Sequence, residues 1–177
     1  MTNKMKTVQR PRLIFLACKN SQRLAELISG ILDFCSYNNC IDDFSENTDF
    51  VIETSGYNGE CPKDVIADTV LYDEENSDRC ISGFRQRVTA YENVGTDEND
   101  VLTYSAHNYG ADLACRNISE CCNTVTLDIV GNGILSRICL DKDKYSVEEV
   151  LACMGVLIAS GLPLAAISGY FTSDGND

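Results

Sequence analysis

Four short apolar runs in the first part of the chain predict buried β-strands. They lie at residues 12–17, 49–54, 65–72 and 101–105, and polar or turn-forming residues bound each run. Because apolar residues follow one another in these runs, rather than at every second position, we expect both faces of the strands to be buried. Burial of that kind is typical of a mainly parallel sheet flanked by helices.

The segment between the first two runs has a helical pattern. Its apolar residues recur every three or four positions within 22–37, at Leu24, Leu27, Ile28, Ile31 and Cys35. A strand, a helix and a second strand form the unit from which parallel sheets are built through right-handed crossover connections. The first half of the chain is therefore predicted to be α/β.

The second half changes from continuous to alternating patterns. Residues 111–118, 123–130 and 134–140 are predicted strands, and the Gly131–Gly133 junction favours a tight hairpin turn. The middle strand alternates polar residues with apolar ones at Val125, Leu127 and Ile129. This pattern predicts an antiparallel extension of the sheet with one solvated face.

Two helices are predicted near the C-terminus. Ser146 and Glu149 form a capping box at the start of an apolar segment. Gly161 is expected to end that helix, and Pro163 to start a shorter one that extends to residue 171.

The predicted organisation is one three-layer α/β domain over residues 12–171. Residues 1–11 are expected to form a flexible tail, and residues 172–177 a disordered C-terminus. Residues 73–100 are charged and lack periodicity, so they predict an irregular connection with one short helix or strand near 81–91.

Charge excludes two classes of partner. The 177 residues include 14 basic and 27 acidic ones, and the net charge of −13 repels nucleic acids and anionic membrane surfaces. The basic residues are scattered along the sequence, so no basic pocket is predicted; they include Lys19, Arg23, Arg85, Arg87, Arg116 and Arg137.

The N-terminus and the cysteines indicate a cytoplasmic protein. The basic start is followed by an apolar stretch too short for a signal peptide, and no run approaches the ~20 apolar residues that span a bilayer. The ten cysteines form no C-x-x-C pair, so we expect them to be reduced. A metal site at Cys121, Cys122 and His107 is not favoured, because adjacent cysteines rarely both reach one tetrahedral ion.

Two segments resemble a known family. VLTYSAHNYGADLACRNI at 101–118 and SVEEVLACMGVLIASGLPLAAI at 146–167 are similar to the end of the central domain of Mur ligases, which use ATP to join amino acids to UDP-linked muramic acid. The resemblance covers residues 12–171, with least similarity between 60 and 100. It implies a P-loop-like topology, and the family's two flanking domains are expected to be missing.

The same register locates the family's nucleotide loop and shows that it has changed. Strand RLIFLA leads into a segment that replaces a TGTNGKTT-like loop and consists of Ala17, Cys18, Lys19, Asn20, Ser21 and Gln22. Ala17 and Asn20 replace both loop glycines. Ser21 stands in place of the phosphate-binding lysine and Gln22 in place of the magnesium-binding threonine. ATP and magnesium, the family's cofactors, are therefore predicted not to bind, and Lys19 leaves only weak anion binding conceivable.

Three further residues are candidates for a residual cleft. Glu53 matches the family's strand-end glutamate of the magnesium site, and Ser55 follows it. His107 lies in the loop after a predicted strand, where we favour a structural role because no catalytic triad can be inferred. The family's H-N-V-x-N-like motif reads Tyr145–Glu149 here and has lost its His and both Asn residues.

These losses favour a non-catalytic Mur ligase-like domain with a binding or regulatory role in peptidoglycan precursor synthesis. The expected partner is a Mur-type ligase or another cell-wall synthesis protein, and a homodimer is a further possibility. The alternative is a nucleotide or UDP-sugar binding protein, or a ligase-related enzyme, that uses a cleft around Lys19, Ser21, Glu53 and Ser55. A third hypothesis, a product without selected activity, is left open by the sequence.

Overall fold

The computed structural model describes residues 10–43, 47–54, 68–75, 84–94 and 100–173. These residues contain nine strands: β1 (Arg12–Ala17), β2 (Asn39–Ile41), β3 (Phe50–Glu53), β4 (Thr69–Tyr72), β5 (Gln86–Ala90), β6 (Val101–Ser105), β7 (Leu113–Cys121), β8 (Thr124–Gly131) and β9 (Ile134–Asp141). They also contain the helices α1 (Ser21–Phe34), α2 (Val147–Ala159) and α3 (Leu164–Ser173), and a short 3-10 helix at Tyr91–Asn93.

All nine described strands join in one mixed sheet. Their order is β2-β3-β1-β4-β5-β6-β7-β8-β9. Neighbours from β2 to β7 pair in parallel, whereas β7, β8 and β9 pair antiparallel. The predicted α/β fold, a mainly parallel sheet flanked by helices with an antiparallel extension, is confirmed.

Successive side chains of β1 lie on opposite faces of the sheet, and this explains why every residue from 13 to 17 is apolar. Ile14 and Leu16 belong to a large buried cluster that also contains side chains from the three described helices. Leu13, Phe15 and Ala17 belong to a second buried cluster on the opposite face of the sheet. Both faces of the strand are thus buried, as predicted.

The antiparallel extension follows its predicted pattern with one difference. The alternating apolar side chains of β8 are buried, and the turn to β9 has positive φ at Asn132 (50°) and Gly133 (74°), as a tight two-residue hairpin requires. Asp128, on the face predicted to be solvated, is only 2% exposed. It is covered because Arg137 of β9 lies over it and donates two hydrogen bonds to its carboxylate.

The ends of the helices match the sequence signals. The side-chain oxygen of Ser146 accepts a hydrogen bond from the Glu149 amide (3.2 Å), and the Glu149 carboxylate accepts one from the Ser146 amide (3.1 Å). Gly161 has φ 95° immediately after α2, and α3 begins after Pro163. Within the described part of the chain, no helix has both the length and the apolarity needed to cross a membrane.

Several predicted boundaries differ from the structure or cannot be compared with it. Strand β2 has no apolar run and was not predicted, whereas β5 lies within 81–91, where one short helix or strand was predicted inside the irregular connection. Strand β7 extends to Cys121 because a bulge between Arg116 and Ser119 lets it continue. The predictions for 1–9, 65–67 and 174–177 lie outside the described residues.

Candidate functional site

The predicted loop lies where α/β proteins bind ligands. Strand β1 has β3 on one side and β4 on the other, so the chain leaves β1 toward one side of the sheet and later returns to the other. Ligands of open α/β sheets bind at the carboxyl ends of strands at such a switch point. The segment Ala17–Gln22 connects the carboxyl end of β1 to α1 and therefore lies at this point.

A cavity of about 220 Å³ opens beside the loop. It is bounded by Lys19 and Asn20 of the loop, by Asp73 after β4, by Tyr104 of β6 and by the first turn of α2. Within the described part of the chain, the charged groups lining it are one ammonium group, from Lys19, and three carboxylates, from Asp73, Glu148 and Glu149. This excess of negative charge is unfavourable for binding a nucleoside triphosphate.

The loop's hydrogen-bond donors are engaged by the protein's own carboxylates. The Lys19 amide donates to Asp73 Oδ2 (3.2 Å), and the Asp73 amide donates to the Ala17 carbonyl (3.3 Å). The Lys19 ammonium group forms an ion pair with Glu75. In a P-loop, such amides and a lysine hold phosphate oxygens. Here the carboxylates of Asp73 and Glu75, which follow β4, take that place. Asp73 accepts a hydrogen bond from the Lys19 amide, and Glu75 pairs with the Lys19 ammonium group.

The start of α1 offers no replacement for the lost phosphate ligands. Asn20 occupies the N-cap position, but its side chain makes no capping hydrogen bond. Ser21 is 8% exposed, and its amide donates to the Cys18 carbonyl (3.2 Å). Gln22 donates from its side chain to Glu26 one turn further along the helix (3.4 Å).

The first turn of α2 closes the other side of the cavity. The Glu148 carboxylate accepts a hydrogen bond from the Ala106 amide (3.2 Å). Glu149 forms an ion pair with Arg23 of α1 (2.9 Å), and Arg23 also donates to the Lys144 carbonyl (2.6 Å). In the register of the resemblance, Tyr145 and Ser146 stand in place of the nucleotide-holding His and first Asn, and the acidic Glu149 stands in place of the second Asn.

Burial makes the thiols near this cavity unreactive. Desolvation, and secondarily the charge of Asp73, raises the pKa of Cys18 to about 12. Burial likewise raises the pKa of the Tyr104 phenol and that of the Cys153 thiol. Since the thiolate is the nucleophilic form of cysteine, Cys18 and Cys153 are not suited to covalent catalysis near neutral pH.

The two remaining site candidates that the structure describes, Glu53 and His107, do not line the cavity. Glu53 is half-buried at the end of β3 and does not line the cavity. Ser55 lies outside the described residues. Next to it, the Thr54 amide donates to Asp42 (2.6 Å). His107 is exposed after β6, and its amide donates to the Ser105 side-chain oxygen (3.2 Å). Among the described residues, no group of three His, Cys, Asp or Glu side chains could hold a metal ion.

Solved structures, unlike sequence comparisons, match this chain. No protein-family model and no curated protein matches it. The structure of UDP-N-acetylmuramoyl-L-alanyl-D-glutamate--2,6-diaminopimelate ligase matches with a TM-score of 0.71 and 12% identity, over 95% of this chain and 47% of that chain. MurF from Acinetobacter baumannii matches with a TM-score of 0.68 and 11% identity, over 94% and 47% of the two chains. The fold is Mur ligase-like.

A third match agrees with that assignment. UDP-N-acetylmuramate-alanine ligase MurC from Thermotoga maritima has a TM-score of 0.60 and 11% identity, over 93% of this chain and 45% of that chain. This chain spans about half the length of the solved structures it matches.

Sequence reasoning did not identify Asp73, Glu75 or Arg23 as residues of this site. The acidic run after the third apolar segment was visible, but its contact with the loop depends on β4 lying beside β1. The expectation that no basic pocket forms also differs from the structure. Arg10, Arg12 and Arg85 line one cavity at the opposite edge of the sheet.

Proposed function

We propose that this chain is a non-catalytic Mur ligase-like domain with a binding or regulatory role linked to peptidoglycan precursor synthesis. The observation that carries the proposal is the engagement of the loop by Asp73 and Glu75. The Mur ligase-like fold supports the link to that group of enzymes, and the carboxylates at the loop support the loss of ATP-driven chemistry.

Electrostatics supports the loss of nucleotide binding. A phosphate charge ~4 Å from the Asp73 carboxylate would be repelled by ~1 kcal/mol in bulk water and by ~4 kcal/mol at the effective dielectric of a protein surface. The Lys19 charge that would offset this repulsion is already paired with Glu75. Losing one catalytic donor commonly costs ~3–4 kcal/mol of transition-state stabilisation, and several are replaced here.

A calorimetric titration with ATP and magnesium tests this proposal, with a Mur ligase as the positive control. We expect that any heat measured at millimolar ATP does not depend on Lys19. The variants are Lys19→Gln, which removes the loop's charge, and Lys144→Gln, which removes an exposed charge elsewhere. Micromolar binding, equivalent to about −8 kcal/mol, that is lost only in Lys19→Gln would overturn the proposal.

The same titration with a UDP-sugar tests the nucleotide or UDP-sugar binding alternative. That alternative needs the cleft at the carboxyl ends of β1 and β3, so it predicts binding that Glu53→Ala weakens. We expect neither binding nor an effect of Glu53→Ala.

The binding role is tested by affinity capture. We expect the purified chain to retain a Mur-type ligase, or another cell-wall synthesis protein, from extracts of the cells that make it. Asp73→Asn should leave that capture unchanged, because the partner surface is proposed to be separate from the loop. Capture that recovers no such protein, under conditions that retain known complexes, would contradict the binding role.

A further inference from the structure

A basic cavity lies at the edge of the sheet opposite the switch point. It has a volume of about 420 Å³ and is formed at the N-terminal ends of β1, β4 and β5 and at the C-terminal end of α2. Among the described residues, the charged groups lining it are the guanidinium groups of Arg10, Arg12 and Arg85 and the carboxylate of Asp68. Its volume lies in the range of small-molecule sites, ~300–1,000 Å³.

The charge of this cavity is opposite to that of the whole chain. The described part of its lining contributes three cations and one anion, although the chain carries a net charge of −13. At the switch-point cavity, the described lining contributes one cation and three anions. The two ends of the parallel strands therefore differ in sign, and an anionic ligand would be attracted to the edge that Mur ligase-like folds do not use for nucleotide.

Contacts with the protein hold Arg12 in place. Its guanidinium donates to the Ser160 carbonyl at the C-terminal end of α2, and it lies over the Phe50 ring, 5.5 Å from the centroid. The last carbonyls of a helix carry partial negative charge, and this hydrogen bond offsets it beside the cavity. A guanidinium has five N–H donors, so the bond to Ser160 leaves Arg12 with donors for a further oxyanion.

Arg85 is less constrained and more accessible. Its side chain is 75% exposed, and its Nε lies 3.9 Å from Asp68 Oδ1, which is longer than a hydrogen bond. The other Asp68 oxygen accepts a hydrogen bond from the Leu13 amide (3.2 Å), so this carboxylate interacts with the backbone as well as with the arginine. Among the described lining residues, Asp68 is thus the carboxylate near Arg85, and it is shared with the backbone.

We propose that this cavity binds a small polyanion through its phosphate or carboxylate groups. Guanidinium groups match both groups because their planar N–H donors form paired, charge-assisted hydrogen bonds with oxyanions. Arg12 supplies a fixed donor and Arg85 an adjustable one. This inference does not rest on the proposed function, because it concerns the other edge of the sheet.

Calorimetric titration at low salt tests the inference with inorganic pyrophosphate as the phosphate probe and citrate as the carboxylate probe. We expect saturable binding with one site for at least one probe. Binding should weaken about fivefold in Arg85→Gln, and it should weaken further as salt screens the interaction. The probe that binds assigns the ligand as a phosphate or a carboxylate compound.

Arg116→Gln is the matched control. It removes the same charge from an arginine whose ring contact is with Tyr109, 5.4 Å from the centroid and outside the lining of this cavity. We expect it to change binding less than twofold. Equal weakening in both variants, or no saturable binding of either probe, would overturn the inference.

A third variant separates this inference from the proposed function. If Lys19→Gln removes pyrophosphate binding and Arg85→Gln does not, the anion binds at the loop. That result would overturn both the polyanion cavity and the loss of phosphate binding. If ATP binds and only Arg85→Gln weakens it, the cavity is supported and the loop remains without nucleotide.

Discussion

At the residue scale, Asp128 is a buried charge held by three donors. Its side chain is 3% exposed and accepts hydrogen bonds from Arg137 Nε (2.7 Å), Arg137 Nη2 (3.1 Å) and Asn117 Nδ2 (2.7 Å). These hydrogen bonds, those from Arg137 first, lower the pKa of the Asp128 carboxyl to about 2. The ionised form of Asp128 therefore stabilises the join between β8 and β9.

A pH dependence follows from this shift. Because the folded pKa lies below that of an unfolded aspartate, ~3.9, the stabilisation is complete above that value and is lost as pH falls toward 2. We expect Asp128→Asn to be less stable than the wild type at pH 6, and the difference to shrink between pH 4 and pH 2. Urea unfolding at each pH measures it. A constant difference would contradict the assignment, and Asp100→Asn is the control at an exposed aspartate.

Thiol reactivity should divide the cysteines by burial. Cys121 and Cys122 are exposed at the β7–β8 turn, with their sulfur atoms 4.0 Å apart. Cys18 and Cys115 are buried, and desolvation raises the pKa of each to about 12. At pH 8, a disulfide reagent should modify Cys121 and Cys122 in the folded chain, and Cys18 and Cys115 only after unfolding. Mass spectrometry of the labelled peptides checks this. Labelling of Cys18 in the folded chain would contradict its burial.

At the scale of elements, α2 links the two halves of the sheet. It packs across β4, β5, β6 and β7 and also contacts α1 and α3. Its capping box fixes where the helix begins and so positions Glu148 and Glu149 at the cavity. Each end of α2 lines one cavity. Glu148 at its start lines the cavity at the switch point, and Ser160 at its end lines the basic cavity.

Removing the cap should weaken the whole domain measurably. Ser146→Ala deletes the side-chain acceptor for the Glu149 amide and should cost ~1 kcal/mol of unfolding free energy. Urea unfolding measures that loss. Ser119→Ala, at an exposed position of β7, is the control and should change stability by less than ~0.5 kcal/mol. Equal stability of Ser146→Ala and the wild type would mean that the cap does not hold the start of α2.

The sequence predicted the elements whose pattern is local, but it missed β2 and left the type of β5 open because both depend on neighbouring strands. Strand β1 and helix α2 were predicted because an apolar run and a capping box are visible in one segment. Strand β2 has only intermediate burial over its three residues, so it forms because β3 lies beside it. A short helix or strand was predicted near 81–91, where β5 lies, but the sequence left its type open. Pairing with β4 and β6 makes it a strand.

At the scale of the whole molecule, the same limit applies to the sites. The position of the loop at the switch point could be predicted because its register follows from β1 and α1. Neither the acidic contacts of Lys19 nor the arginine cavity could be predicted, because both require the strand order. Arg12 and Arg85 are far apart in sequence and meet only because β1, β4 and β5 are neighbours.

The strand order also bears on how the chain acquires its structure. Strand β1 pairs Arg12 with Phe50 and Ile14 with Thr69, so both of its partners come much later in the chain. Strands β7, β8 and β9 are joined by tight turns and need no distant segment to pair. Because contacts between distant segments form slowly, we expect the C-terminal meander to fold ahead of the centre of the sheet. During synthesis, β1 leaves the ribosome before the other described strands and would therefore be among the last of them to find its neighbours.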